Sequence, residues 1–540
     1  MSKIFFPQYV RGREGMAVHP GKTVLEHIRM TGGIEIDSEC GGNGICGRDV
    51  IRVEKGAEFL GEKTEVEKTL LLQGRLKPNQ RLACQARVTG EQGDIVAFIP
   101  DFGRYTILSD FMKIDVEPNP CAFKQGNRVM YYTGEDLGPY RGRILGLAVD
   151  VGTTTLVMQL VDLETGQDVG RPMASKNPQI AYGNDVISRI GYTMNHGSGL
   201  MELQQAVVEG INKSLEELEK HLGDDSLSGY IYDVVAVGNS TMRNLFFGLN
   251  VHDLGVIPFE APDKRSITVK ARDLGLSVHE NARAYAPPLI GGHAGADCLA
   301  DIISTGIYQR EEIGMVIDIG TNGEVVIGNR DKLLTASCAA GGAYEGYQIR
   351  CGVGAIQGAI TQISIEDGRV KYMTLGNKPP VGVCGSGVID LLAELFRSGV
   401  MNEKARIRKD FPITDTISIS QEDINQLIMA KAGLRTDQDL LVKYYGVSMD
   451  GVKKIYLAGA FGNYMNIGNA IAIGLLPNID EKRFVRFGNG ALAGALAMLV
   501  SRVKRRDAEE VTRIITHTKP NEIEGEQFQY LVADNIYFGS

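Results

Sequence analysis

Apolar positions along this 540-residue chain change texture twice. Over residues 1–100 they come in short runs separated by polar and glycine-rich turns. Ile4-Phe5-Phe6, Met16-Ala17-Val18, Val50–Val53, Ala86–Val88 and Ile95–Ile99 predict strands. Thr23 to Met30 predicts a helix, with Val24, Leu25 and Ile28 on one face and Thr23 and Glu26 spaced as a capping box. This is the pattern of a small, β-rich α+β domain. Between 101 and 142 the periodicity lapses, and Pro118, Pro120, Gly126, Gly138 and Pro139 punctuate a segment that reads as a linker. From Arg143 onward, wholly apolar strands such as Ile144–Val149 and Asp233–Val237 alternate with helices such as Met201–His221. The last of these carries Leu203, Val207, Ile211, Leu215 and Leu218 at helical spacing. Such alternation predicts an α/β fold over 143–540.

The 143–540 region also repeats itself. Ala148-Val149-Asp150-Val151-Gly152-Thr153-Thr154-Thr155 is echoed by Val316-Ile317-Asp318-Ile319-Gly320-Thr321-Asn322-Gly323. Both are apolar strands that end in Asp-apolar-Gly-Thr, which predicts a duplicated domain with lobes near 143–305 and 306–540. One such turn alone is weak evidence, because many strands end in Asp and Gly. Two in register are much stronger. In each, glycine permits close backbone approach, threonine hydroxyls and N–H groups can donate to phosphate, and the aspartate can hold Mg²⁺ through water.

Composition narrows the classes. Hydrophobic residues make up 43% and charged residues 23%, and the formal net charge is −9, which argues against nucleic-acid binding as the main task. The longest apolar stretches, such as Ala491–Val500, are too short to span a bilayer, and the N-terminus has no long apolar core of a secretory signal. The expectation is a cytoplasmic protein with no membrane partner. The eight cysteines are too sparse for a disulfide framework, and three of them crowd into the first hundred residues beside glycines, as at a metal site.

That site is the sharpest local signal. Cys40-Gly41-Gly42-Asn43-Gly44-Ile45-Cys46-Gly47-Arg48-Asp49 is followed at a distance by Cys84. Glycines let a loop wrap tightly and aim N–H groups at sulfur. Residues 1–100 resemble a plant-type ferredoxin domain with a β-grasp fold, whose pattern Cys-x5-Cys-x2-Cys and a distant Cys holds a 2Fe–2S cluster. Cys40, Cys46 and Cys84 match it, but Asp49 stands where the third cysteine belongs. Asp49 ligates iron through oxygen, or Cys121 swings in as fourth ligand, or the cluster is degraded or absent. The first is favoured because Asp49 occupies the ligand position.

A third glycine turn, Gly459-Ala460-Phe461-Gly462, follows the apolar run Ile455–Ala458 and offers a small-residue surface to a flat base. With the two hairpins it resembles the actin–sugar kinase–Hsp70 superfamily, which binds ATP in a cleft between two related lobes. The resemblance covers roughly 143–540. It implies Asp150, Gly152, Thr153, Thr154, Thr155, Asp318, Gly320, Thr321 and Asn322 at phosphate and Mg²⁺, and Gly459, Ala460 and Phe461 near the adenosine. Asp297, in Gly291-Gly292-His293-Ala294-Gly295-Ala296-Asp297, either orients the attacking water or caps a helix, and His293 is an ordinary loop histidine. Gly238-Asn239-Ser240-Thr241 enters the cleft or starts a capped helix. Gly341 and Gly342, and the turn Cys384-Gly385-Ser386-Gly387, either let helix N-termini approach phosphates or are tight helix entries.

A ferredoxin-like domain joined to this ATPase-like domain resembles the reductive activators of corrinoid proteins. The resemblance implies ATP-dependent transfer of one electron to a Co(II) cobalamin protein, yielding Co(I). It also implies an upstream low-potential electron donor, and leaves room for a homodimer. Besides a non-enzymatic redox sensor in which nucleotide only gates partner binding, two alternatives stand beside it. One is an activator of acyl-CoA dehydratases, with Cys351 and Cys384 offered as cluster ligands. The other is a small-molecule kinase with an accessory redox domain.

Overall fold

The computed structural model describes residues 2–6, 15–31, 34, 36, 38, 42, 44, 49–72, 76–89, 93–99, 112, 114–320, 322–338, 342–344, 349–366 and 368–538. The N-terminal part is a five-stranded mixed sheet in the order Met16–Ala17, Lys3–Phe5, Ile95–Phe98, Val50–Lys55, Gln80–Leu82. Only the Lys3–Phe5 and Ile95–Phe98 pair is parallel. The helix Val24–Thr31 buries Val24, Leu25 and Ile28 in a core with Ile4, Phe6, Ile51 and Leu82. The capping box forms: Thr23 N donates to Glu26 Oε2 at 2.7 Å, and Glu26 N to Thr23 Oγ1 at 3.2 Å. One expected strand does not form. Ala86–Val88 makes only single bridges, Arg87 with Thr23 and Val88 with Leu60, because the chain turns at 83–85 after Gln80–Leu82 has taken the sheet edge.

Residues 122–139, within the expected linker, instead form a three-stranded antiparallel sheet of Ala122–Gln125, Arg128–Tyr131 and Asp136–Pro139. Cys121, Ala122, Val129, Tyr131 and Leu137 are buried in the core of the first lobe. Of the glycines and prolines that suggested irregular chain, Gly126 lies in a tight turn, Gly138 and Pro139 lie in the last strand, and Pro118 and Pro120 precede the sheet.

The two lobes repeat one topology. In the first sheet, Leu145–Val151 pairs antiparallel with Thr155–Asp162, which pairs antiparallel with Gln167–Lys176. On its other side lie Ile231–Val237 and Arg283–Ala286, both parallel. In the second sheet, Gly314–Ile319 pairs with Gly323–Gly328 and then Leu333–Cys338, and on its other side with parallel Lys454–Ala458 and Phe484–Gly488. Each sheet therefore opens with a hairpin whose first strand ends in aspartate, and the parallel strands come from βα crossovers.

The C-terminal stretch returns to the first lobe. The wholly buried helix Gly490–Val500 packs on the helix Ala296–Thr305 and beneath Leu145–Val151. The next helix, Arg502–Ile514, is pinned there by Arg505. Its Nη2 lies 2.5 Å from Asp233 Oδ2, Nη1 donates to Tyr131 OH at 3.2 Å, and the guanidinium sits 4.4 Å from the Tyr285 ring centre. Among the described residues, no helix is long and apolar enough to cross a membrane.

Candidate functional site

Each hairpin places its aspartate at the end of a buried central strand, and the two lobes bring those ends together. Burial pushes the Asp150 carboxyl up to about 7; Asn489 Nδ2, donating at 2.8 Å, pulls it down, and the charge of Asp318 pushes it further up. Asp297 lies in the first turn of Ala296–Thr305, where burial raises it to about 7, opposed by the Cys298 N–H and reinforced by Asp318 and Asp150. Burial also raises Asp318. The three expected carboxylates therefore share one field.

Two further carboxylates complete the group, and the sequence reading missed both. Asp301, one turn after Asp297, is buried and raised well above the usual carboxylate range by desolvation and then by Asp318. Neither of its carboxylate oxygens has a hydrogen-bond partner among the described residues. Glu324 stands directly opposite Asp318 in the hairpin register, takes a 3.2 Å hydrogen bond from Ser337 Oγ, and is likewise driven up by burial. Like charges directly opposite in an antiparallel pair are destabilising. Five such acids in one buried place suit a cation. Among the described residues no three His, Cys, Asp or Glu side chains converge tightly enough to chelate a bare ion. The donor set therefore fits Mg²⁺ held through water and phosphate oxygens rather than an all-protein cage.

The first hairpin is shaped as a cradle. A Cβ on Gly152 would stand 2.6 Å from Thr155 O, so only glycine makes this turn. Its carbonyls are held from one side: Gly152 O accepts from Asn177 Nδ2 at 2.8 Å, Thr153 O from Arg189 Nη2 at 2.5 Å, and Thr154 O from Asn177 N at 2.8 Å. Across trans peptides this turns the N–H groups of Thr153, Thr154 and Thr155 the other way. Asn239 starts a capped helix and also touches the first hairpin. Its Oδ1 caps the helix Ser240–Phe246, and its Nδ2 donates to Thr153 Oγ1 at 3.0 Å. Gly295 packs so closely that a Cβ there would lie 2.5 Å from Asn239 Cα, while Gly238 O accepts from Ala296 and Asp297 N–H.

In the second hairpin Gly320 N donates to Asn322 O at 3.0 Å, and Thr321 lies outside the described residues. Gly459 (φ +82°) opens the helix Gly459–Tyr464 with its Cα against Asp318, where a Cβ would come 2.5 Å from Oδ1. Ala460 and Phe461 lie in that helix; their side chains are outside the described residues, as is Gly341, while Gly342 sits in a turn. His293 is partly buried, with its ring 6.0 Å from Phe259. Cys351 and Cys384 lie on neighbouring segments, since Val383 N donates to Cys351 O, but both are buried in the second lobe. Cys384 Sγ is 3.3 Å from Ile360 O, and burial raises the Cys351 thiol to about 12.

In the N-terminal domain Cys40 and Cys46 lie outside the described residues. Asp49 is buried, and its Oδ2 accepts from Cys84 N at 2.6 Å. Gln85 Nε2 lies 3.6 Å from Cys84 Sγ, a donor aimed at the sulfur. Gly42 (φ +103°) packs against this corner, where a Cβ would lie 3.8 Å from Cys84 Cβ. These neighbours fit a wrapped cluster loop. Cys121 is elsewhere: it is buried in the first-lobe core, where desolvation raises its thiol to about 11.

Comparison with known proteins decides the lineage. Residues 312–537 match the family described as the C-terminal domain of RACo, the ASKHA domain. Residues 145–310 match the RACo middle region, and residues 9–89 match the 2Fe-2S iron-sulfur cluster binding domain. The corrinoid activation enzyme RamQ of Eubacterium limosum is 34% identical over 472 residues, which cover 81% of this chain and 78% of that one. The chain belongs to the reductive activators of corrinoid proteins. The activator is also 24% identical, over 69% of its own length and 73% of the relative's, to the Co(II) methylated amine-specific corrinoid protein reductase of Methanosarcina barkeri. A solved structure, the reductive activator for corrinoid, iron-sulfur protein, superposes with a TM-score of 0.71 at 29% identity, covering 100% of the activator and 98% of that chain. Family membership sets aside the dehydratase-activator and kinase alternatives. The activator carries a ferredoxin-like domain of the 2Fe–2S type and an ASKHA domain.

Proposed function

We propose that this activator re-reduces a Co(II) corrinoid protein to Co(I), one electron at a time, at the expense of ATP. The observation that carries the reading is the pairing, in one chain, of a ferredoxin-like domain with a duplicated acidic cleft, matched end to end by a solved corrinoid activator. When bound, a 2Fe–2S cluster supplies a one-electron relay. Cys40, Cys46, Asp49 and Cys84 would hold it. Cys121 is buried in the first-lobe core with Tyr131 and Arg505, which favours Asp49 as the fourth ligand.

In the cleft, Asp150 and Asp318 would hold Mg²⁺ through water, with Asp301 and Glu324 ready to ionise beside the cation. Asp297 orients the attacking water. The Thr153, Thr154 and Thr155 N–H groups, with Gly320, Thr321 and Asn322, would receive the phosphates; Gly459, Ala460 and Phe461 would serve the adenosine, and Gly341 and Gly342 the phosphates. The need for ATP follows from the potential gap. For one electron each ~59 mV of mismatch costs roughly tenfold in the equilibrium. Nucleotide does work only by favouring one protein state over another. The electron comes from an upstream low-potential donor, and the acceptor is the corrinoid protein.

The test is anaerobic purification with iron and sulfide analysis, then addition of reductant, Mg·ATP and a Co(II) corrinoid protein. The Co(I) absorption band should appear only with ATP. Asp150→Ala and Asp318→Ala should keep the cluster spectrum and lose both phosphate release and Co(I). A normal Co(I) band in a variant without turnover would refute the coupling of hydrolysis to transfer.

A further inference from the structure

We propose that Arg29 is the positioning residue that seats the iron–sulfur domain on the first lobe, and that its seat is tied to the phosphate hairpin. Arg29 lies in the last turn of the helix Val24–Thr31, but its side chain leaves its own domain. Nε donates to Ala181 O at 2.9 Å, and Nη2 reaches the same oxygen at 2.5 Å. The guanidinium carbon sits 5.1 Å from the ring centre of Tyr182 and 5.2 Å from that of Tyr192. Those rings are buried and packed edge-on, 5.0 Å apart. Tyr192 is braced in turn by stacking on His196 at 4.1 Å and by a 2.6 Å hydrogen bond to Glu202. Two N–H groups converging on one carbonyl while a flat cation lies against two adjoining rings is an arrangement that lysine cannot copy.

The same Nη2 also faces Gly42 of its own domain. A Cβ on Gly42 would lie 3.8 Å from Arg29 Nη2 and 3.8 Å from Cys84 Cβ. One guanidinium therefore touches the ATPase lobe and lies beside Gly42, which neighbours Cys84.

The seat is wired to the hairpin. Ala181 closes the short turn Pro178–Ala181, which Asn177 caps by accepting from Gln179 N. The same Asn177 donates to Gly152 O and Thr154 O. Just after Tyr182, Gly183 O accepts from Arg189 Nε at 2.8 Å, and Arg189 Nη2 reaches Thr153 O. Asn177, Gln179 and Arg189 are all fully buried, so the linkage has no slack from solvent. Phosphate drawn into the hairpin restrains the same peptide groups that the seat holds from behind. Docking and nucleotide binding then share a coupling free energy, and each biases the other by the same factor. This second step rests on the proposed phosphate role of the hairpin; the docking step does not.

The experiment is hydrogen–deuterium exchange with small-angle scattering on the full, cluster-loaded chain under anaerobic conditions. The variants are Arg29→Ala and Arg29→Lys on one side of the contact and Tyr192→Leu on the other, with the cluster absorption spectrum as the check on integrity. Arg29→Ala and Tyr192→Leu should raise exchange over 177–196 by about tenfold and lengthen the particle, with Arg29→Lys between them and wild type. Unchanged exchange and dimension in both Arg29→Ala and Tyr192→Leu would overturn the docking. Adding Mg·ATP should change protection over 22–31 in wild type and not in Arg29→Ala. Calorimetry of ATP binding runs alongside. Binding without any response at 22–31 refutes the link to the hairpin, whereas absence of binding refutes the phosphate site itself.

Discussion

Asp49 occupies a position where sulfur would be the ordinary ligand, and its carboxylate already receives the N–H of Cys84 at 2.6 Å. A hard oxygen donor favours ferric iron, so the cluster potential should lie low. Gln85 Nε2, directed at Cys84 Sγ, works in the opposite sense, because a hydrogen bond to sulfur eases the added electron. Asp49→Cys should therefore keep a 2Fe–2S cluster at a higher potential, and Gln85→Leu should lower it, both read by redox titration of the visible spectrum. Should Asp49→Ala leave spectrum and potential unchanged, Asp49 is a buried acceptor for Cys84 N–H and not a ligand. At this scale the cleft was half legible. Asp150 and Asp318 announce themselves because each ends an apolar strand before Gly-Thr. Glu324 does not, since its place opposite Asp318 exists only once the two strands are paired. Asp301 is hidden because an acid four residues after Asp297 reads equally as the outer face of a surface helix. Asn489, which positions Asp150, is 339 residues away in sequence.

Among the elements, the helix Gly490–Val500 carries most of the geometry. Its N-cap Asn489 donates to Asp150, and a Cβ on Gly490 would run into Asp301 Oδ1. One turn on, Gly494 lies against the backbone of Ala300, with no room for a side chain. Small residues thus set how closely this helix crosses Ala296–Thr305, which bears Asp297 and Asp301. Gly494→Ala should cost about 1–3 kcal/mol through overpacking, measured by denaturant unfolding. It should also slow ATP turnover while leaving the cluster spectrum alone. Full turnover in a measurably destabilised variant would show that the crossing does not set the site. The sequence shows this helix only as an apolar run too short for a membrane. Its partner cannot be read, because Ala, Leu and Gly all round carry no facing information. The sheet within 122–139 was hidden for another reason: strands of four residues between turns give too few alternations to stand out from irregular chain.

At the scale of the molecule, the duplication was visible in two eight-residue echoes, and the matching sheet orders follow from it. The return of 490–514 to the first lobe was not, because chain order does not say which lobe a terminal helix will cover. The consequence of bringing both hairpins together is electrostatic and can be measured. Asp150 is held near 7 in the folded chain against 3.8 ordinarily, and burial is the main cause. The unfolded chain gives up this proton first as pH rises, so the folded state loses stability progressively from about pH 4 to about pH 7, and no further above that. His517 acts in the opposite direction. Burial lowers it to about 4, so stability falls as pH drops from 6.5 toward that value. The overall profile therefore mixes signs, and the informative quantity is a difference between variants. Without metal and nucleotide, Asp150→Asn should match wild type in Tm near pH 4, exceed it increasingly up to about pH 7, and hold that margin above. Mg·ATP should then stabilise wild type more than Asp150→Asn. Its binding to wild type near pH 6.5 should release protons, seen by calorimetry in buffers of different ionisation enthalpy. A margin that stays flat across this range would mean that Asp150 titrates normally, and that the cleft does not hold its carboxylates in reserve for a cation.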